Sequence, residues 1–89
     1  MKEFLDELYG ETFQEALAVT QEIITDVARV ERICYTRYRN DPSSHNLQLL
    51  EKFRNRFLDY MSLKNYLDTF DPKDKLDSAS ITAYERRNH

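Results

Sequence analysis

Asn40-Asp41-Pro42-Ser43-Ser44 interrupts what is otherwise a nearly unbroken run of helix-forming sequence from Thr12 to Thr69. Proline lacks an amide hydrogen and fixes its own φ, while Asn, Asp and Ser side chains bond their own backbone in place of the helix ladder. A connection of about five residues obliges the helices on either side to lie antiparallel and in contact. The fold class is therefore all-α: an antiparallel hairpin of two long helices, at about 12–39 and 44–69, with a short N-terminal helix and a weakly ordered C-terminal segment.

Upstream of the turn no breaker occurs back to Thr12. At about 100° per residue, Phe13, Ala16, Leu17, Val19, Thr20, Ile23, Ile24, Val27, Val30, Cys34, Tyr35 and Tyr38 fall within about half the circumference. Glu15, Glu22, Asp26, Arg29, Arg32, Thr36 and Arg39 take the other half. An apolar arc that wide exceeds what one neighbouring helix covers. Thr12-Phe13-Gln14-Glu15 fits the capping box, which places the helix start near Thr12. Downstream, Asp41, Ser43 or Ser44 can cap the second helix, with Pro42 tolerated in a first turn. Its apolar set is Leu47, Leu49, Leu50, Phe53, Phe57, Leu58, Tyr60, Met61, Leu63, Tyr66, Leu67 and Phe70. The stripe they form drifts as expected for helices coiling about each other.

A turn centred near residue 42 sets the register. Cys34 meets Leu50, Val27 meets Phe57, Ile24 meets Tyr60, Leu17 meets Leu67, and Phe13 meets Phe70. Glu31 then lies opposite Phe53 and Arg54, which predicts a Glu31–Arg54 contact, either a rim ion pair or a polar layer that fixes register. Thr20 lies opposite Lys64.

The two ends are less determined. Phe4, Leu5, Leu8 and Tyr9 have helical spacing, and Gly10 either breaks or kinks what they form. The sequence reads as one helical domain over 1–70 and a tail over 71–89, in which Lys73-Asp74-Lys75-Leu76-Asp77 is extended or loose and Ser78 or Ser80 caps a short helix. Isolated helices of that length are marginal in water. The tail orders only by docking Leu76, Ile81 and Tyr84, on its own hairpin or on another protein.

The chain, 89 residues long, forms one small domain. A domain of that size buries only about 60–65% of the surface its unfolded form exposes. Hydrophobic residues make up 40% of the sequence and glycine occurs once. That is too apolar for a disordered tail and too poor in turns for an all-β fold. The lone cysteine, Cys34, allows no intrachain disulfide and suits a reducing, cytoplasmic setting. No run approaches the roughly 18–20 apolar residues of a membrane span, so no membrane partner is expected.

Nothing assembles a catalytic, cofactor or metal site. One glycine makes no phosphate loop, and Cys34, His45 and His89 have no metal-ligand spacing. Glu3 with Glu7 and Glu11 with Glu15 are mutually repulsive helix neighbours, unsuited to acid–base work. The chain is read as a non-enzyme with no cofactor.

Charge is the remaining signal. The net charge is −3, yet residues 1–26 carry −6, residues 27–67 carry +4 and residues 68–89 carry −1. The hairpin gathers seven cations, Arg29, Arg32, Arg37, Arg39, Lys52, Arg54 and Arg56, toward its turn. Guanidinium forks bind oxyanions bidentately, and tyrosine stacks or donates. The candidate partner-binding residues are accordingly Tyr35, Arg37, Tyr38, Arg39, Arg54 and Arg56. The plainer account is that outer-face cations are solvated and that Arg37 and Arg39 complement the helix dipole.

Asn40-Asp41-Pro42 followed by leucines resembles the small needle subunits and co-chaperones of bacterial secretion machines, and compact bacteriophage inhibitors are similar in size. These are likenesses of fold, which transfer no function or site. The expectation is a protein–protein interaction module, such as an adaptor, chaperone or inhibitor, that docks on another protein, on itself as a homo-oligomer, or on both. The alternative is an anionic-ligand or nucleic-acid binder using the same Arg/Tyr residues, against which the net negative charge argues.

Overall fold

The computed structural model describes residues 1–87, so His89 lies outside the described residues. Four helices follow in order: α1 (Lys2–Glu7), α2 (Phe13–Asn40), α3 (Ser44–Leu67) and α4 (Ser78–Arg87). The hairpin of α2 and α3 is the frame. Helix α2 has 28 residues. At about 1.5 Å of rise for each of them it is about 42 Å long. That is nearly the full 47 Å extent of the molecule.

The local reasons for these bounds are visible in the caps. Thr12 and Glu15 form the complete capping box, with the Glu15 amide donating to Thr12 Oγ1 at 3.1 Å and the Thr12 amide to Glu15 Oε1 at 3.3 Å. At the turn, Ser43 is the N-cap, accepting from the Asn46 amide at 3.2 Å. Pro42 therefore sits just outside the helix instead of in its first turn. The hairpin register is the expected one: Phe13 and Phe70 stack at 4.2 Å between centroids, and Arg54 Nε meets Glu31 Oε1 at 3.1 Å. Helix α3 stops at Leu67, short of the sequence expectation of Thr69, because Asp68, Thr69 and Phe70 already turn with bonds to Lys64, Tyr66 and Leu67.

Gly10 ends α1. Its φ of +85° is one that L side chains rarely adopt. The chain leaves it toward Thr12 alongside the tail, and this is where the fold closes. The Gly10 amide donates to Leu76 O at 3.1 Å, and the Leu76 amide returns a bond to Glu11 O at 2.8 Å. Phe13 and Gln14 donate to Asp74 O and Pro72 O, at 2.8 and 3.1 Å. Two of the first-turn amides of α2, which have no partner within the helix, are thus satisfied by a strap formed from residues 72–76, and the next, that of Glu15, by Thr12. The charged run read in sequence as extended or loose is an ordered strap with an isolated antiparallel bridge from Lys75 to Thr12, since its backbone carbonyls are needed there.

The strap delivers α4. Asp77 caps it: the Ser80 amide donates to Asp77 Oδ1 at 2.8 Å, and the Asp77 amide donates to Ser80 Oγ at 3.2 Å. Neither Ser78 nor Ser80 is the cap residue, because the box begins one residue earlier. Leu76, Ile81 and Tyr84 are buried on the chain's own hairpin, in one cluster with Leu5, Leu8, Phe13, Ala16, Leu63 and Leu67. Tyr66 ties α3 to α4, donating from its hydroxyl to Ser80 O at 2.8 Å and lying 5.1 Å from the Tyr84 ring. Burial raises the Tyr66 pKa above its ordinary value.

This cluster takes nothing from α2 beyond Leu17 and nothing from α3 before Tyr60. The core therefore sits at the open end of the hairpin. Residues 23–57 extend from it as a two-helix arm, with Ile24, Cys34 and Leu50 buried along its seam. Thr20, at 0% exposure, satisfies its own hydroxyl by donating to Ala16 O at 2.7 Å, the usual resort of a threonine inside a helix.

Candidate interaction surface

The arm is where the sequence-predicted residues lie. Tyr35, placed in the apolar arc by its spacing, is 44% exposed, and so are Leu47 at 37% and Leu58 at 62%. Two helices cover only one stripe of each other, and Tyr35 and Leu47 lie beside that stripe, while Leu58 lines a groove between α3 and α4. Cys34, by contrast, is buried where the register puts it, and His45 is exposed at the start of α3.

The six candidate residues do not form one site. Arg54 bonds Glu31, with its guanidinium 5.9 Å from the Tyr35 ring centroid. The side chains of Arg54 and Glu31 are 52% and 28% exposed, so this is a rim ion pair and not a buried polar layer. Such a pair contributes about 0–1 kcal/mol. Arg56 stands about 200° around α3 from Arg54. It lies over Phe53 at 5.4 Å, with Lys52 on the same ring at 6.0 Å. Exposed cation–π contacts of this kind contribute about 0.5–1 kcal/mol. Arg37 and Arg39 belong to the last turn of α2 and enter no ion pair among the described residues. Tyr38 between them is half-buried. The cations thus ring the arm and do not converge on one ligand-sized point.

One surface escaped the sequence reading. Ile33 is 51% exposed and Val19 38%, and with half-buried Ile23 and Val30 they share a strip on α2. At about 100° per residue these four positions span about 80°. The strip stands about a quarter turn away from Phe13, Ala16, Thr20 and Ile24, which face the seam. Its spacing of four, seven and three residues was present in the sequence. The broad arc absorbed three of its members and omitted Ile33.

Elsewhere an open groove of about 510 Å³ runs between α3 and α4, lined by Leu58, Met61, Tyr66, Tyr84 and Arg87 among others. The shifted acids nearest the strap serve the caps. The hydrogen bond from the Ser80 amide holds Asp77 below the usual carboxylate range. The neighbouring Glu11, and then the bonds from Thr12, hold Glu15 below the usual carboxylate range, while Glu15 raises Glu11. Among the described residues no group of three or more His, Cys, Asp or Glu could hold a metal, and no helix is long and apolar enough to cross a membrane.

No known protein family, curated protein sequence or solved structure matches the chain.

Proposed function

We propose that this protein is a non-enzymatic interaction module, an adaptor, small chaperone or inhibitor, whose working part is the two-helix arm. The observation that carries the reading is the division of the molecule. Its own ends, α1, the strap and α4, bury the apolar surface of the open end. The arm is left with Ile33, Tyr35 and Leu47 exposed, amid Arg37, Arg39, Arg54 and Arg56. Interfaces concentrate their energy in tyrosine and arginine set around apolar contacts, and an acidic protein surface suits the arm's charge. Cys34, single and buried in the seam, supports a reducing compartment, and a cytoplasmic location belongs to the same reading.

Nucleic acid or another anion is the lesser alternative. Arg54 is committed to Glu31 and Arg29 to Asp26, and the others diverge, whereas phosphate recognition wants several converging donors.

The test is capture from the native host by the full chain, comparing the unaltered protein with Tyr35→Glu and Leu47→Glu on the arm and with Leu58→Glu at the α3–α4 groove. The proposal expects one partner to be lost with the two arm variants and kept with the third. A partner retained by all three overturns it. Affinity that falls steeply with salt, in the manner of counterion release, moves the assignment to nucleic acid.

A further inference from the structure

The α2 strip has a feature that identifies its occupant. Helix α2 is split in charge at its midpoint. Residues 13–26 carry Glu15, Glu22 and Asp26 with no cation, and residues 27–40 carry Arg29, Arg32, Arg37 and Arg39 against Glu31. The first half is −3 and the second +3. On the helical wheel Glu22 and Asp26 lie within or beside the strip on one half, and Arg29 and Arg37 do so on the other. All four are exposed. A helix of this kind is complementary to itself turned end for end, and repels a parallel copy.

We infer that α2 docks antiparallel on α2 of a second copy of this chain, strip against strip, about a two-fold axis near Ala28. This rests on the interaction reading above and names one partner of it. A two-fold contact must be self-complementary, with each pair occurring twice. The axis near Ala28 sets Ile23 opposite Ile33 of the second copy and Val30 opposite its Asp26. It also brings Glu22 toward the second copy's Arg37, and sets the exposed Arg29–Asp26 pair of each helix, 3.5 Å apart, beside its counterpart so that Asp26 also nears the second copy's Arg29. The acidic half meets the basic half on both sides of the axis. The apolar residues supply the attraction and the charges set the direction, since like charges facing each other disfavour the parallel alternative. Size fixes the strength. The strip from Val19 to Arg37 is about 27 Å long and one helix wide, well below the roughly 800 Å² per partner of a standard stable interface. A contact of that size belongs with weak, transient associations.

Sedimentation of the full chain over about 5 to 200 µM tests this at low and at high ionic strength. The expected species at the upper concentrations in low salt has twice the 10.7 kDa chain mass. The dissociation constant should rise at least about tenfold in high salt, because exposed charges are screened there. Ile33→Asp should weaken the dimer at least about tenfold with unchanged circular dichroism, since a half-exposed site tolerates the change. A second pair of variants checks that these charges meet across the interface: Glu22→Arg with Asp26→Arg, and Arg29→Glu with Arg37→Glu. Each should be monomeric alone, and the two should associate when mixed. A chain that remains monomeric at the highest concentration in low salt overturns the inference. So does a dimer indifferent to Ile33→Asp, or reversed-charge chains that do not recover on mixing. A strict monomer that still captures a partner through Tyr35 and Leu47 sinks the self-pairing and leaves the interaction reading standing.

Discussion

Leu76→Ala is the sharpest probe of how the ends hold the open core. Leu76 is 2% exposed, its side chain belongs to the core cluster, and its backbone bonds Gly10 and Glu11 in both directions. Truncating a buried leucine costs about 2–5 kcal/mol, the spread reflecting how far the site collapses. The strap can settle partly inward, so we expect about 3 kcal/mol. A chain of this size is stabilised by about 4–13 kcal/mol in total, and a loss of about 3 kcal/mol lowers its Tm by roughly 12–24 °C. Amide hydrogen exchange carries the more specific signature. The Phe13 and Gln14 amides bond strap carbonyls at 2.8 and 3.1 Å, so they and Gly10 should lose protection before the arm amides of residues 29–36 do. Leu58 is 62% exposed. Leu58→Ala therefore serves as the control and should stay within about 0.5 kcal/mol. A Tm drop of less than about 4 °C, or arm and open end losing protection together, would refute the account of the strap as a structural clamp.

Three further outcomes follow from the same geometry. A double-mutant cycle on Glu31 and Arg54, a pair at the rim, should return a coupling below about 1 kcal/mol that weakens with salt; a larger, salt-resistant value would restore the polar-layer reading. Gly10→Ala should cost about 1–2 kcal/mol in chemical denaturation purely through the positive φ at that position, since an added Cβ there meets nothing within 4 Å. Asp77 is held below its unfolded value, so its contribution is present above that value and is lost as pH falls through the folded pKa, from about pH 4 downward. Asp77→Asn keeps a capping side chain and should flatten that acid limb in a pH-resolved melt. An unchanged limb would mean that other carboxylates dominate it.

The hairpin itself was legible because it is decided locally. Residues 40–44 break the helix, Thr12 and Glu15 cap it, and a 3.6-residue period read along α2 and α3 gives the register that pairs Phe13 with Phe70 and Glu31 with Arg54. These are interactions between near neighbours in sequence, or consequences of a turn too short to allow any other arrangement. The candidate site was read less well: residue type marks Tyr35, Arg54 and Arg56 as suited to binding, although the helical spacing of the two arginines already sets them about 200° apart on α3.

What the sequence could not decide is where the tail goes and which apolar positions it leaves bare. Leu76, Ile81 and Tyr84 marked the tail as needing a surface, but its own open end and a foreign partner offer the same kind of burial to the same side chains. The choice is made by backbone groups from opposite ends of the chain: the carbonyls of Pro72 and Asp74 meeting the amides of Gln14 and Phe13. Hydrogen bonds of that kind carry no residue signature, because every residue but proline has the donor and every residue the acceptor. Periodicity thus determined which residues seek cover, and only the tertiary structure determined which of them, Tyr35 and Leu47 among them, went without it.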